Sequence, residues 1–288
     1  MEKTIHVTPA DNLQLIFDTA PANAVIHLAE GEYRQKCVIR MPGLTLIGAG
    51  ADKTKVIWDD YALKQDAFGQ EYNTFRTYTL AICADHVSIQ DLAIVNDSLH
   101  PEKKGQEVAL SVLADAFSMR RCTLRSTQDT LFVGPLPEDL IERYDGFLRS
   151  ELRRGGNMHQ TFSDCLIEGT VDFIFGCGAA TFTNCEIRSL ADARGIGYVA
   201  APAHGAEQSE GILFRNCRFT HEEGVTPGSI FLARPWRDYG LVRFESCLYA
   251  DHIAAEGFDK WNDTRRDLTA RFFESPAVPG RVPWVNRR

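Results

Sequence analysis

Five stretches of the chain repeat one arrangement of apolar and polar positions, apolar-x-apolar-x-x-Cys-x-apolar. They cover residues 117–124, 160–167, 180–187, 212–219 and 242–249, and Gln160 is their one polar residue at the first position. A sixth copy, residues 87–94, places Leu92 in the Cys slot. Each copy alternates with a period of two on either side of the x-x step, the mark of two short strands meeting at a bend. No copy carries a helical stripe. Slots 92, 122, 165, 185, 217 and 247 are separated by 30, 43, 20, 32 and 30 residues. Such spacing suits the coils of a solenoid, each stacked on the last, with unequal loops on one face. A β-sandwich also has short strands, but not a recurring frame. The predicted class is all-β, a single-stranded solenoid of parallel coils.

Around residues 11–18 the apolar positions Leu13, Ile16 and Phe17 fall at helical spacing, with Asp11 or Asn12 as N-cap. A helix here would cap the open end of the solenoid and hide its edge strands. Strand-like runs at 24–28, 38–39 and 44–47 would begin the coils. No linker interrupts the chain, so residues 1–288 read as one domain. Within the 43-residue interval, residues 135–157 hold Pro135, Pro137, Gly155, Gly156 and many charges, and read as an excursion leaving the cleft between Asp129 and Asp172, a long loop beside the site.

Composition narrows the function. With 44% apolar and 24% charged residues the chain is ordinary globular material, and 31 basic against 39 acidic residues leave a net charge of −8. That balance opposes nucleic-acid binding, which needs a basic face. No run approaches the ~20 apolar residues of a membrane span. The first residues lack the apolar core of a secretory signal, so the expectation is a soluble, cytoplasmic monomer. Eight cysteines without a C-x-x-C pair, and histidines without metal-like pairing, predict buried free thiols and no metal site.

The repeat register points to the chemistry. Seven residues past Cys122 is Asp129, and seven past Cys165 is Asp172. On consecutive coils these carboxylates would lie on the order of 5 Å apart. Like charges that close cannot both ionise freely, so one is held protonated beside one ionised partner, an acid and nucleophile pair. The residues after Asp172 are Phe173, Ile174 and Phe175, an apolar setting. The plainer alternative is a turn aspartate bonding its own backbone. Asp192 repeats the offset after Cys185 without an evident role.

Around these residues the sequence resembles the pectin methylesterases, carbohydrate esterases built on a right-handed parallel β-helix. The motifs are Gln128-Asp129-Thr130-Leu131, Gly169-Thr170-Val171-Asp172-Phe173-Ile174-Phe175-Gly176, Gly105-Gln106-Glu107-Val108-Ala109-Leu110, Leu232-Ala233-Arg234-Pro235-Trp236 and Gly31-Glu32-Tyr33. The resemblance implies Asp172 as nucleophile, Asp129 as general acid then base, Gln106 and Gln128 as oxyanion donors, and Arg234 holding Asp172 ionised. It implies a sugar cleft with Trp236, and we add Phe258, Phe132, Phe175 and Tyr33 as candidate sugar contacts. The implied substrate is methyl-esterified oligogalacturonide or pectin, with methanol released and no cofactor. Ala233, Gln35, Phe258 and Pro202 stand where the family usually carries Gly, Glu, Trp and Gln, and the 135–157 excursion exceeds the usual connection. The excursion suggests short oligomers as substrate. Rival readings are an acyl-thioester or other ester hydrolase on the same site, an inactive sugar-binding β-helix, or a pectate lyase or polygalacturonase. The paired glutamines fit neither of the last two. No G-x-S-x-G elbow supports a serine hydrolase.

Overall fold

The computed structural model describes residues 3–98 and 105–287. Its strands form three parallel sheets of ten, seven and eight strands, and neighbours in each sheet come from successive coils. This is a right-handed parallel β-helix. Each repeat frame supplies one strand to the ten-stranded sheet and the next to the eight-stranded sheet. The segments between frames build the seven-stranded sheet, whose outer face carries the candidate site.

The x-x step is a corner of fixed conformation. The residue before each Cys slot has a left-handed backbone: Asp91 (φ 56°), Arg121 (50°), Asp164 (55°), Asn184 (55°), Asn216 (53°) and Ser246 (54°). Asp and Asn tolerate that region best among non-glycine residues, which accounts for their prevalence there. The corner also keeps its ladder bonds. The Asp164 and Asn184 amides each donate at 3.1 Å, to Thr183 and Arg215 carbonyls on the next coil. No donor is orphaned in making the turn.

Identical frame positions stack. Ile89, Met119, Phe162, Phe182, Phe214 and Phe244 pair in register across the ten-stranded sheet. The last four form a column of parallel rings with centroids 4.6, 4.9 and 5.0 Å apart. The Cys slot forms the adjoining ladder, buried from Leu92 to Cys217 and half-buried at Cys247. All eight cysteines are free thiols. Gln160, the polar exception, points its amide at the carbonyls of Val112 (3.0 Å) and Gly134 (3.2 Å).

The cap is a helix over Leu13–Thr19 that buries Leu13 and Phe17, and Asn12 is its N-cap, accepting from the Leu15 amide at 3.0 Å. The 135–157 excursion is not an irregular loop. It folds into a helix, Glu138–Arg143, and a 3-10 turn, Ser150–Arg153. Leu136, Leu140, Leu148 and Leu152 pack with Phe75, Phe132 and Val38 in a second apolar cluster on the outside of the seven-stranded sheet. Ion pairs tie it down: Arg40–Glu151 (3.0 Å), Arg154–Asp85 (2.9 Å) and Arg237–Asp139 (2.8 Å). The four leucines lie four, eight and four residues apart, a helical spacing interrupted by Pro137 and Gly146, and only the sheet face they cover reveals their purpose.

Phe182 is fully buried with rings stacked on both faces. Phe182→Ala removes the ring and leaves a cavity, with an expected loss of about 3–5 kcal/mol in urea unfolding.

Candidate active site

The stacking register brings the two aspartates together. The strand Leu131–Val133 pairs with Ile174–Gly176, Leu131 opposite Ile174 and Phe132 opposite Phe175. This offset equals the 43-residue spacing of Cys122 and Cys165, so Asp129 and Asp172 are register equivalents on adjacent coils. The Asp129 amide donates to the Val171 carbonyl at 3.0 Å. Both aspartates have left-handed backbones, φ 65° at Asp129 and 50° at Asp172. The turn conformation belongs to the residues that carry the candidate chemistry.

Asp172 owes its direction to an irregularity. On its other edge the strand Val171–Gly176 pairs Val171 with Tyr198 but Ile174 with Ala200, so one extra residue is accommodated between them. A bulge of this kind re-aims side chains. Phe173 and Ile174 both turn into the interior core, while Asp172 and Phe175 both face the cleft. The glycines of this motif are needed for close approach. At Gly176, with φ 132°, a Cβ would lie 2.1 Å from the Val133 carbonyl oxygen.

A cleft of about 360 Å³ receives both carboxyls, which are 8% and 6% exposed. Arg234 grips Asp172 side-on, Nε to Oδ1 at 2.8 Å and Nη2 to Oδ2 at 2.6 Å. Such a two-point, charge-assisted pair holds the carboxylate in one plane. The guanidinium lies between the rings of Tyr198 (3.8 Å) and Trp261 (4.0 Å), not against Trp236. Burial pushes both carboxyls above the ordinary aspartate range. At Asp172 the Arg234 hydrogen bonds and charge oppose that rise. Asp129 is displaced further, by burial and then by the Asp172 charge. The pair is therefore split, with the proton favoured on Asp129.

Gln106 and Gln128 line the same cleft. They are held on neighbouring coils by the Glu107 amide, which donates to the Gln128 carbonyl at 2.9 Å. Arg194 was not foreseen. It donates to Gln128 Oε1 at 3.0 Å and is itself paired with Asp192 at 2.6 Å. This leaves the Gln128 amide nitrogen free to donate towards Asp129, and a hydrogen bond from Gln128 lowers the Asp129 carboxyl against the larger upward effects. Asp192 itself lies in a longer connection, outside the strands that carry the 43-residue register. Its offset of seven is therefore coincidental, and its partner is Arg194.

Residues 3–136 and 155–280 match the family model described as Pectinesterase. The chain belongs to the pectinesterase family. It is similar to Pectinesterase QRT1 of Arabidopsis thaliana, 27% identical over 294 residues, covering 96% of this chain and 69% of that protein. It is also similar to the putative pectinesterase/pectinesterase inhibitor 43 of the same plant, 29% identical over 272 residues. That match covers 92% of this chain but only 34% of the relative, so the chain spans about a third of its length. Among solved structures, a pectin methylesterase in complex with a hexasaccharide shares the fold, with a TM-score of 0.79 and 24% identity over 98% of this chain and 92% of that one.

Within this pectinesterase-family chain the match omits residues 137–154, which contain the excursion helix. Its Leu140, Arg143 and Tyr144 form part of the cleft wall. Of the aromatic candidates, Trp236 and Phe175 line the cleft. Three others do not reach it. Phe132 is fully buried beneath Phe175 and Phe75, with ring centroids 5.1 and 5.0 Å away. Phe258 is an interior residue packed on Phe244 and Phe272, because its position follows the inward face of the last coils. Tyr33 is also interior, its hydroxyl 3.0 and 3.1 Å from the Val7 and Ala29 carbonyls, and it supports the first coils rather than a ligand. Phe75, Tyr144 and Trp261 take the places expected of them in the cleft. Phe75 and Tyr144 have no local motif, whereas Trp261 ends the Gly257-Phe258-Asp259-Lys260-Trp261 segment in which Phe258 stands for the family's first Trp, and each arrives from a different connection.

The raised carboxyl of Asp129 predicts a pH-dependent cost to stability. The folded chain holds this proton at pH values where the unfolded chain has released it. Stability from this residue is thus complete below the ordinary value of 3.8 and is lost as pH rises towards the folded value. Asp129→Asn, which also suits the left-handed backbone, removes the loss. Its urea midpoint is expected to exceed that of the parent at neutral pH and to match it near pH 3.8.

Proposed function

We propose that the chain hydrolyses methyl esters of galacturonate chains, with Asp172 as nucleophile and Asp129 as acid and base. The observation that carries this reading is the two-point Arg234–Asp172 pair beside the buried Asp129 carboxyl, the one raised further of the two, in one cleft. An Asp172 oxygen attacks the ester carbonyl carbon. As the tetrahedral intermediate collapses, the bond to methoxide breaks and Asp129 delivers its proton, releasing methanol and leaving an acyl-enzyme anhydride. Asp129, now ionised, takes a proton from water. The resulting hydroxide attacks the substrate's acyl carbon, the bond to Asp172 breaks, and both aspartates return to their starting states. The Gln106 and Gln128 amides are the donors available to the oxyanion, each worth ~2.7–4 kcal/mol if aimed at it. Arg234 keeps the nucleophile ionised against burial, and Arg194 orients Gln128.

A serine, metal or cofactor is not needed for this cycle. Phe175 and Trp236 supply apolar faces suited to the sugar ring. Asp172→Asn removes the attacking oxygen, and methanol release from methylated oligogalacturonide is expected to fall at least ~1,000-fold with circular dichroism unchanged. Asp129→Asn is expected to lose ~100-fold or more on the methyl ester but much less on a nitrophenyl ester, whose leaving group needs no proton. Equal losses on both esters would remove Asp129 from the acid role.

The substrate is further inferred to be short. The excursion helix stands against the cleft through Leu140 and Arg143, with Tyr144 just after it, fixed by an apolar cluster and an ion pair to Arg237, and it narrows the room for a long chain. Exposed Arg143, from the same helix, adds a positive charge at the wall that suits a neighbouring uronate carboxylate. Comparison of kcat/KM per ester should favour methylated tri- to hexamers over polymeric pectin. A clear preference for polymer would refute the size restriction and leave the esterase chemistry standing.

A further inference from the structure

Away from the cleft, three potential metal ligands meet near the end of the solenoid. The strand Arg218–His221 pairs with Leu248–Tyr249 on the next coil, and the register continued past Phe219 and Tyr249 sets His221 beside Asp251. His252 follows directly. One donor atom from each of His221, Asp251 and His252 lies within 4.8 Å of the others. None of the three lines the catalytic cleft.

Two features of the hydrogen bonding mark this cluster. His221 Nδ1 lies 2.9 Å from the Glu222 carbonyl oxygen, an acceptor, so this nitrogen carries a proton. The other ring nitrogen, Nε2, faces Asp251 Oδ1 at 3.1 Å. A metal-bound histidine commonly has this arrangement, with its far N–H given to a backbone carbonyl. His252 is the second feature. It is fully buried, its ring stands 4.8 Å from that of His221, and neither ring nitrogen has a partner among the described residues. A buried polar group left unpaired calls for a missing partner such as water or an ion.

We propose that His221, Asp251 and His252 form a zinc site, with water as fourth ligand, that clamps the last coils together. Two imidazoles and a carboxylate suit zinc in four-coordination. Bond lengths near 2.0–2.1 Å place ligand atoms roughly 3.3 Å apart, so closure requires side-chain shifts on the order of 1 Å. The exposed Asp251 side chain leaves the ion a route in from solvent, while His252 forms the floor. The ligands come from adjacent coils, so binding would oppose their separation and raise the unfolding temperature with zinc concentration.

The test uses the full chain, untagged and stripped by chelator. Titration calorimetry with zinc is expected to give one saturable equivalent, accompanied by a rise in Tm. Cobalt is expected to give the visible absorption of a four-coordinate ion. Asp251→Asn and His221→Gln, both reachable from the surface, are expected to weaken zinc binding more than tenfold while leaving zinc-free Tm and methanol release close to the parent. Absence of saturable binding and of a Tm response would overturn the proposal. So would zinc binding of unchanged affinity in both variants, which would put the ion elsewhere.

Discussion

Every functional distance in this molecule depends on the coils keeping register. Parallel strands bonded coil to coil repeat at ~4.8 Å, so a residue held in register is a neighbour of its counterpart whatever the loop between them does. The 43-residue interval demonstrates this. It contains a helix, a 3-10 turn and a second apolar cluster, yet Thr123 still meets Leu166 and Leu131 still meets Ile174. The ladder of Phe162, Phe182, Phe214 and Phe244 enforces the register from inside, since a slip of one residue would turn an apolar column outward.

Regularity alone would not make a site. A uniform ladder points alternate residues inward, and Asp172 gains its outward aim from one residue too many between Val171 and Ile174. The bulge lets Phe173 and Ile174 both enter the core, freeing Asp172 and Phe175 for the cleft. The left-handed φ at both aspartates is the same device that turns each corner of the solenoid. The structural and chemical roles of these residues are therefore not alternatives. The fold tolerates aspartate where the backbone must bend, and two such bends stack.

Electrostatics then separates two chemically identical side chains. Asp172 has a guanidinium in bidentate contact, itself fixed between two rings, whereas Asp129 has that cation only at a distance and the Asp172 charge close by. Burial magnifies the difference, because a charge removed from water depends on its neighbours. Arg194, through Gln128, extends the same arrangement to the rim of the cleft.

Much of this was legible in the linear chain. The repeating frame carried the solenoid, the Cys ladder and the neighbouring positions of Asp129 and Asp172, because period-two burial and in-register stacking are local rules applied coil after coil. The motif around Arg234 carried its pairing with Asp172. The aromatic contacts were legible only in part: Trp236 and Phe175 line the cleft, Phe132, Phe258 and Tyr33 proved buried, and Phe75 and Tyr144 arrived from connections without a motif. Nor was the excursion's docking, which depends on four leucines finding a sheet face assembled from other coils. Arg194 and the His221–Asp251–His252 cluster belong to the same class. Sequence spacing determines what a repeat places side by side, but where a loop folds back, its contacts depend on surfaces that exist only once the coils have stacked.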